Sequence, residues 1–437
     1  MKKLKTPSFV ALLCIVYSSV GFGQSNSNAL NLQQAQEYAI NNNLTRKNAA
    51  IDVEIARKKV WETTAQGLPQ VNAGVDFQYI LNDLPKLTFP GQNGQPIEVK
   101  VGEKANATYS LSVSQLVFSG PYIVGLQASQ AFKNLSENAL VKTDQEIKAG
   151  VTAGYLTILL LRETLAILDS NVANLKKILN ETKVLQANGY ADKTAVGQVN
   201  VSVMLVENTA AETRKQLNSA TNLLKLQLGI PDSTNLVLTD KLEAMVNNLN
   251  PEFESTGLDP NMNIDLKITS NQIEINKLQY KLNKTYFLPT ISAFVNFQRL
   301  HKEPQINFTP TAILGVKATI PIFSSGMRLS KVQQAKLEWK KSLNTYDQTL
   351  QQIEINYAEA KTNLSIAWNK YEAQKQNRDL AKQVLQEVEV KYTNGIASQT
   401  EVIQANDKYL QAVGNYLAAI VELVNAKVKI DKITGKI

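Results

Sequence analysis

The chain has 437 residues, one cysteine and a formal net charge of +8. That length exceeds an ordinary domain of about 100–200 residues, so several units or a duplication are expected. The charge is mild and forms no dense Lys/Arg block, which argues against a nucleic-acid binder.

The first 23 residues read as a secretory signal peptide. Lys2, Lys3 and Lys5 form a basic start, Phe9 to Val16 a short apolar run, and Gly21-Phe22-Gly23 the small-residue site before cleavage. The run is too short to span a membrane as a helix. The only cysteine, Cys14, lies inside it. Leu13 stands where a lipoprotein signal carries a small residue, so lipidation is not expected. Removal of the three lysines takes the net charge from +8 to +5. The mature chain is then exported without disulfides or thiolate metal sites. No later stretch is expected to supply the ~20 apolar residues of a transmembrane helix, so any contact with a membrane must be made by strands.

Further along, the chain repeats itself. Leu68-Pro69 precedes QVNAGVDFQY, and Leu288-Pro289, 220 positions later, precedes TISAFVNFQR. LVFSG at 116–120 matches PIFSSG at 321–326, with Phe118 and Phe323 offset by 205. The turn ANGYAD at 187–192 matches TNGIAS at 393–398, offset by 206. Each copy therefore orders Leu-Pro, strand, strand, Phe-Ser-Gly, long helix, Gly turn, helix. The expected layout is a first repeat at 24–228 and a second repeat at 263–437, joined by 229–262. The hairpins fall at about 69–118 and 289–321, and the long helical hairpins at about 121–228 and 327–432.

The four strands alternate. Val71, Ala73, Val75, Phe77 and Tyr79 share one face, and so do Ala107, Tyr109, Leu111 and Val113. Ile291, Ala293, Val295 and Phe297 do the same, with Phe294 the exception, as do Ala312, Leu314, Val316, Ala318 and Ile320, broken by Ile313. Runs of about ten residues with an apolar and a small-polar face suit transmembrane strands or a half-buried soluble sheet. Four strands cannot close a barrel, and open edges cannot stand in lipid. Two chains would give eight strands around a filled interior; three give twelve around a lumen. Ser110, Ser112 and Ser114 on the inner face favour the wet, twelve-stranded solution.

The long helices carry a heptad seam. Ile158, Leu161, Leu165, Leu168, Val172, Leu175, Leu179 and Thr182 are spaced alternately three and four apart, as are Leu343, Tyr346, Leu350, Ile353, Tyr357, Ala360, Leu364 and Ala367. A helix from Pro121 to Asn188 would be about 100 Å long at ~1.5 Å per residue.

This order of features resembles the TolC-type outer-membrane efflux proteins over essentially the whole mature chain. The residues that carry the likeness are ALNLQQAQEYAINNN (29–43), the two Leu-Pro pairs, PIFSSGMR (321–328) and both Gly turns. The resemblance implies an internally duplicated α+β membrane protein. Two β-hairpins per chain contribute to a trimeric, 12-stranded outer-membrane barrel, and long helical hairpins form a periplasmic tunnel, with 229–262 and the chain ends as an equatorial mixed belt around it. It implies a passive exit duct for small molecules that works with a periplasmic adaptor and an inner-membrane transporter, with one-step protein secretion as the alternative use. The turns would dock the adaptor through Gly189, Tyr190, Ala191 and Gly395, Ile396, Ala397. Tyr392, Glu401 and Gln404 would sit at the tunnel gate. Glu401 matches a family position that forms a ring of carboxylates, Gln404 replaces a second acid, and Ala397 replaces a latch arginine. Ser398-Gln-Thr-Glu401 also reads as a helix capping box, so Glu401 has a purely structural alternative.

Other chemistry is thin. His301 in HKEP reads as a solvated loop histidine, and the sequence has no phosphate loop, HExxH or GxSxG. No enzyme activity, cofactor or metal is expected. Trp61, Trp339 and Trp368 are expected to be packing residues. Phe77, Tyr79, Tyr109 and Phe297 are candidates for interfacial girdles. The Pro- and Gly-rich segment 82–104 reads as an extracellular loop. A coiled-coil surface protein or a periplasmic adaptor would share the helices, but neither needs lipid-facing strands.

Overall fold

In a computed structural model of the chain, residues 28–90, 95–247, 257–304, 307 and 309–437 are described. The expected signal peptide, with Cys14, lies outside the described residues. The sequence repeat becomes a repeat of lengths. Helices α2 (Leu44–Ala65) and α6 (Ile264–Thr285) each have 22 residues. The long helices α3 (Gly120–Ala187) and α7 (Met327–Thr393) have 68 and 67. Their return helices α4 (Lys193–Leu228) and α8 (Gln399–Thr434) have 36 each. At ~1.5 Å per residue α3 is about 100 Å long, as its freedom from internal proline allows.

One four-stranded sheet tops this helical layer. It consists of β2 (Gln70–Tyr79), β5 (Ala105–Ser119), β7 (Thr290–Leu300) and β8 (Ala312–Thr319), in the order β2-β5-β7-β8, with every neighbour antiparallel. The register lines the alternating residues into rows. Val71, Val113, Val295 and Leu314 form one, and Ala73, Leu111, Phe297 and Ala312 the next. The opposite face carries Asn72, Ser112 and Asn296 in register. The two halves of the duplication meet at the central β5–β7 pair.

The two breaks in alternation have separate outcomes. Phe294 pairs with Gly315, and its ring lies where a Cβ on that glycine would come within 2.6 Å. The aromatic covers backbone that the glycine leaves bare. Ile313 faces the same side, opposite Asn296. Among the described residues nothing covers the apolar face: Phe77 is 71% exposed and Leu314 81%.

Segment 82–104 departs from the loop reading. It holds a small antiparallel ribbon, β3 (Lys86–Pro90) and β4 (Pro96–Lys100), with Lys86 bonded to Glu98 at 2.7 Å. Pro90 and Pro96 pair at its outer end, where a missing N–H costs the ladder little. Trp61 also departs from expectation. It is 63% exposed, because α2 flanks the helical layer and packs mainly on α3. Trp339 instead stacks on Tyr280 at 5.9 Å, and Trp368 packs against the equatorial core beside Tyr371. The heptad seam is buried at Ile158, Leu168, Leu175, Leu179 and Thr182 and at Ile353, Ala360, Leu364 and Ala367, whereas Leu343 stays exposed. Helix α3 does contain an apolar stretch long enough to cross a membrane by composition, contrary to the sequence reading. Its Val151, Tyr155, Leu156 and Leu159 enter the protein core instead.

That core is equatorial. Helix α1 (Leu32–Asn42) contributes Ala35 and Ala39, α5 (Leu242–Asn247) contributes Leu242 and Val246, and α3, α4, α7 and α8 all converge there. The ends of the segment are tied in by backbone. Strand β1 (Asn28–Leu30) pairs in parallel with β6 (Leu236–Leu238). The Tyr155 hydroxyl donates to Leu30 O and to Asp240 at 3.0 Å, and Arg162 donates to Leu238 O and Asp240 O. Burial pushes the Tyr155 hydroxyl up to about 12.

The same height holds a splice that the sequence reading missed. Asn43 caps α2 by accepting from Thr45 and Arg46 N–H, while its amide donates to Gln227 O at 2.7 Å, at the end of α4. Asn263 repeats this, capping α6 and donating to Ile433 O at the end of α8. Gly229 and Gly435 end α4 and α8 with φ of 73° and 71°. A Cβ on either would meet a backbone oxygen, Asn42 O at 2.7 Å or Met262 O at 2.6 Å. Helices α4 and α2 therefore run end to end beside continuous α3, and α8 and α6 do the same beside α7.

Across this belt, Glu243 accepts from Arg378 at 2.8 Å and from Tyr416 at 2.9 Å, and the Arg378 guanidinium lies 4.0 Å over the Tyr416 ring. The hydrogen bond from Arg378 holds the Glu243 carboxyl below its ordinary 4.5, and burial pushes the Tyr416 hydroxyl up.

Two outcomes follow from the belt. Gly229→Ala or Gly435→Ala adds a steric clash to the ~1–2 kcal/mol conformational cost of a left-handed residue, whereas Gly189→Ala, with φ of 80° and nothing within 4 Å, carries only the latter. Thermal denaturation of the three variants should rank Gly189→Ala as the mildest. The second concerns acid. Because the folded value of Glu243 lies below 4.5, its contribution is present above that pH and is lost as the pH falls through the folded value. Glu243→Gln should lose less thermal stability than the native chain between about pH 7 and pH 3.

Candidate channel entrance and gate

At the end of the helical layer remote from the sheet, the two Gly turns adopt one backbone. Helix α3 ends at Asn188 and α7 at Asn394, with the side-chain amides donating to Val184 O and Val390 O. Gly189 and Gly395 follow at φ of 80° and 73°. The next N–H, of Tyr190 or Ile396, reaches back five residues to Leu185 O or Lys391 O, both at 2.8 Å. This closes each helix with a left-handed glycine and satisfies its last carbonyls. The following helices start on Asp192, which accepts from Ala195 N–H at 2.7 Å, and on Ser398, which accepts from Glu401 N–H at 3.3 Å.

The geometry throws the residue after each glycine outward. Tyr190 is 83% exposed and Ile396 77%. Gly189 and Gly395 are exposed as well, while Ala191 and Ala397 are half-buried. Of the six tip residues named from the sequence, Tyr190 and Ile396 are therefore the ones whose side chains stand in solvent. The two turns sit side by side, because the starts of α4 and α8 pack along each other. Thr400 faces Gln198 at 3.5 Å, and Val402 joins Val199, Val203 and Ile178 in a second apolar core.

The three gate candidates do not converge within one protomer. Tyr392 sits in a crevice between α3 and α7 lined by Asn174, Lys177, Glu181 and Glu389. Among the described residues its buried hydroxyl has no hydrogen-bond partner. Gln404 lines a different groove, between α4 and α8, with Gly197, Gln198 and Val201. Glu401 is exposed. The capping-box alternative for it is half met: Ser398 receives the Glu401 N–H, but the Glu401 carboxylate does not return a bond to the Ser398 backbone. By contrast, Asn31 and Gln34 at α1 close both bonds of such a box. His301 is exposed beyond β7, where its N–H donates to Ala107 O and its ring meets Tyr109 edge-on at 6.2 Å.

Three polar features of this half escaped the sequence reading. Asn171 of α3 and Asn406 of α8 are buried and bonded to each other. Asn174 donates to Glu389 at 2.8 Å. Partial burial pushes the carboxyl of Asp407 up. Asn171 lies beside the apolar seam rather than on it, so only the pairing of two distant helices gives it meaning.

Residues 263–436 match the outer membrane efflux protein family. No curated protein matches the chain at the level of sequence. Among solved structures, CusC shares the fold at 17% identity and a TM-score of 0.76, with 99% of both chains covered. The CmeC outer membrane channel of Campylobacter jejuni shares it at 17% identity and 0.76, over 100% of this chain and 94% of that one. The MtrE channel of Neisseria gonorrhoeae, solved in its open state, does so at 16% identity and 0.73, over 93% and 89%. Residues 263–436 thus carry the likeness to the outer membrane efflux protein family, and the chain as a whole shares the fold of these solved outer-membrane channels.

Proposed function

We propose that three copies of this chain form a passive duct that carries small molecules out through the outer membrane, fed by a periplasmic adaptor and an inner-membrane transporter. The observation that carries the reading is the sheet. Its outward rows are apolar and uncovered, its inward rows are largely Asn, Ser, Thr and Gly, and both edges are unpaired. Strands β2 and β8 run in opposite directions, so β8 of one copy meets β2 of the next in the antiparallel sense already used throughout. Twelve strands closed in this way leave a lumen. The repeats are placed at 24–228 and 263–437, with 229–262 as the belt between them. Recovery of a heat-sensitive, SDS-resistant trimer from outer membranes supports the reading; a soluble periplasmic monomer overturns it.

At the tunnel entrance we read Glu401 as a pore-facing carboxylate, one per chain. Its exposure and the unreturned cap bond support this. Gln404 adds no charge to the ring. Tyr392 lacks a polar partner in its own protomer, and Ala397 offers no cation, so the closed entrance rests on apolar packing around Val402. Ions should meet one ring of three charges. In planar bilayers at low salt, Glu401→Gln should lower the cation-to-anion permeability ratio by roughly twofold or more, an effect that fades as salt screens the ring. An unchanged ratio removes Glu401 from the pore.

Docking of the adaptor is assigned to the two turns. Tyr190 and Ile396 offer apolar side chains on a backbone whose helix-end carbonyls are already bonded. A buried side chain of this size contributes about 1.5–3 kcal/mol, or roughly ten- to hundredfold in affinity. Tyr190→Asp with Ile396→Asp should restore drug sensitivity to cells that depend on the pump, with trimer yield unchanged. Full efflux in that variant would exclude the turns as the docking site.

A further inference from the structure

A cavity of about 290 Å³ lies where the sheet meets the helical layer. Tyr286 and Leu288 wall it from the end of α6 and the link into β7, Pro321 from the link after β8, and Met327, Arg328 and Lys331 from the first turns of α7. Its chemistry is divided. Leu288, Pro321 and Met327 give an apolar wall, whereas Arg328 and Lys331, one helical turn apart, put two cations on the same opening. No acidic residue lines it. Among the described residues Arg328 has no carboxylate partner: it donates to Pro321 O at 3.2 Å and lies 5.9 Å from the centre of the Phe287 ring. Lys331 has no ion pair among them either. Helix α7 begins on Gly326 with no side-chain cap, so its positive end adds to the field of both cations.

The level of the cavity matters as much as its charge. In the link between β8 and α7, Ile320, Ile322 and Phe323 are exposed, and so are Tyr286 and Phe287 after α6. Exposed aliphatic and aromatic side chains at strand ends mark the boundary between hydrocarbon and water. Two uncompensated cations at such a boundary, over an apolar pocket, suit one kind of occupant. We infer that this cavity binds an anionic amphiphile, its phosphate or carboxylate head held by Arg328 and Lys331 and its apolar body against Leu288, Pro321 and Met327. Charge-assisted hydrogen bonds fix the head, and Arg328 offers a fork matched to such oxygens. A phospholipid of the periplasmic leaflet and an acidic solute inside the tunnel share this recognition chemistry, and the test separates the two sources.

The test is native mass spectrometry of the purified full-length channel with phosphatidylglycerol and phosphatidylcholine of identical chains. The native channel should retain phosphatidylglycerol roughly tenfold more than phosphatidylcholine, the factor expected from one charge-assisted contact. Arg328→Gln with Lys331→Gln should bring the two lipids level, and Arg328→Lys with Lys331→Arg should keep the preference. Equal retention of both lipids by the native channel, or an unchanged preference in the double Gln variant, overturns the site. Dodecyl phosphate then separates the sources. A fall in single-channel conductance on adding dodecyl phosphate, absent in the double Gln variant, assigns the site to solutes of the tunnel, and unchanged conductance assigns it to lipid. Because transport is read separately by conductance, loss of this site leaves the duct reading standing.

Discussion

A strand at the edge of a sheet leaves half its N–H and C=O groups unpaired, and hydrocarbon has nothing to offer them. In this chain β2 and β8 are those edges, on either side of the central β5–β7 pair. The same condition recurs below the sheet. Helix α2 leads into β2 and α7 follows β8, so the flanks of the helical layer stand beneath the edges of the sheet. Both flanks expose apolar residues, Ile51, Ile55 and Trp61 on one and Leu329 and Leu337 on the other. One association can satisfy both levels at once. The chain is shaped as a segment of a wall, closed on itself at the equatorial core and again in the smaller core near the two turns.

The equator also resolves a difficulty of length. A helical layer about 100 Å tall needs rods that stay together, yet each repeat has only one helix that long. The second rod is spliced from two, with an asparagine bonding both ends and a left-handed glycine letting the chain leave without a side chain in the joint. Tyr155, Arg162 and Asp240 hold β1 and β6 at the same level, and Glu243, Arg378 and Tyr416 tie α5, α7 and α8 together there.

Much of this was legible beforehand, for reasons that differ by element. The strands declared themselves because a period of two with one wet and one apolar face is hard to mistake: Val71, Val113 and Val295 share a row as their spacing requires. The long helices were legible from the seam, and the turns from Asn-Gly repeated at one offset. The splice was not, because Asn43 and Asn263 look like ordinary N-caps and their second bonds reach residues 184 and 170 positions away. The ribbon at 86–100 was hidden by its prolines, which stand at its end and not within it. Trp61 was misjudged because packing in this protomer stops at α2. For the gate, Tyr392 and Gln404 are named together on resemblance alone and occupy different crevices, because no spacing within the chain relates them.

The two turns share a backbone but differ in what they carry. One presents Tyr190 before an Asp cap, the other Ile396 before a Ser cap followed by Glu401. In a threefold ring, a partner that reads main-chain shape would find six equivalent seats, while a partner or ion that reads side chains would find three of each kind in alternation. The stoichiometry at which this rim is occupied would then reveal which of the two languages its visitor reads.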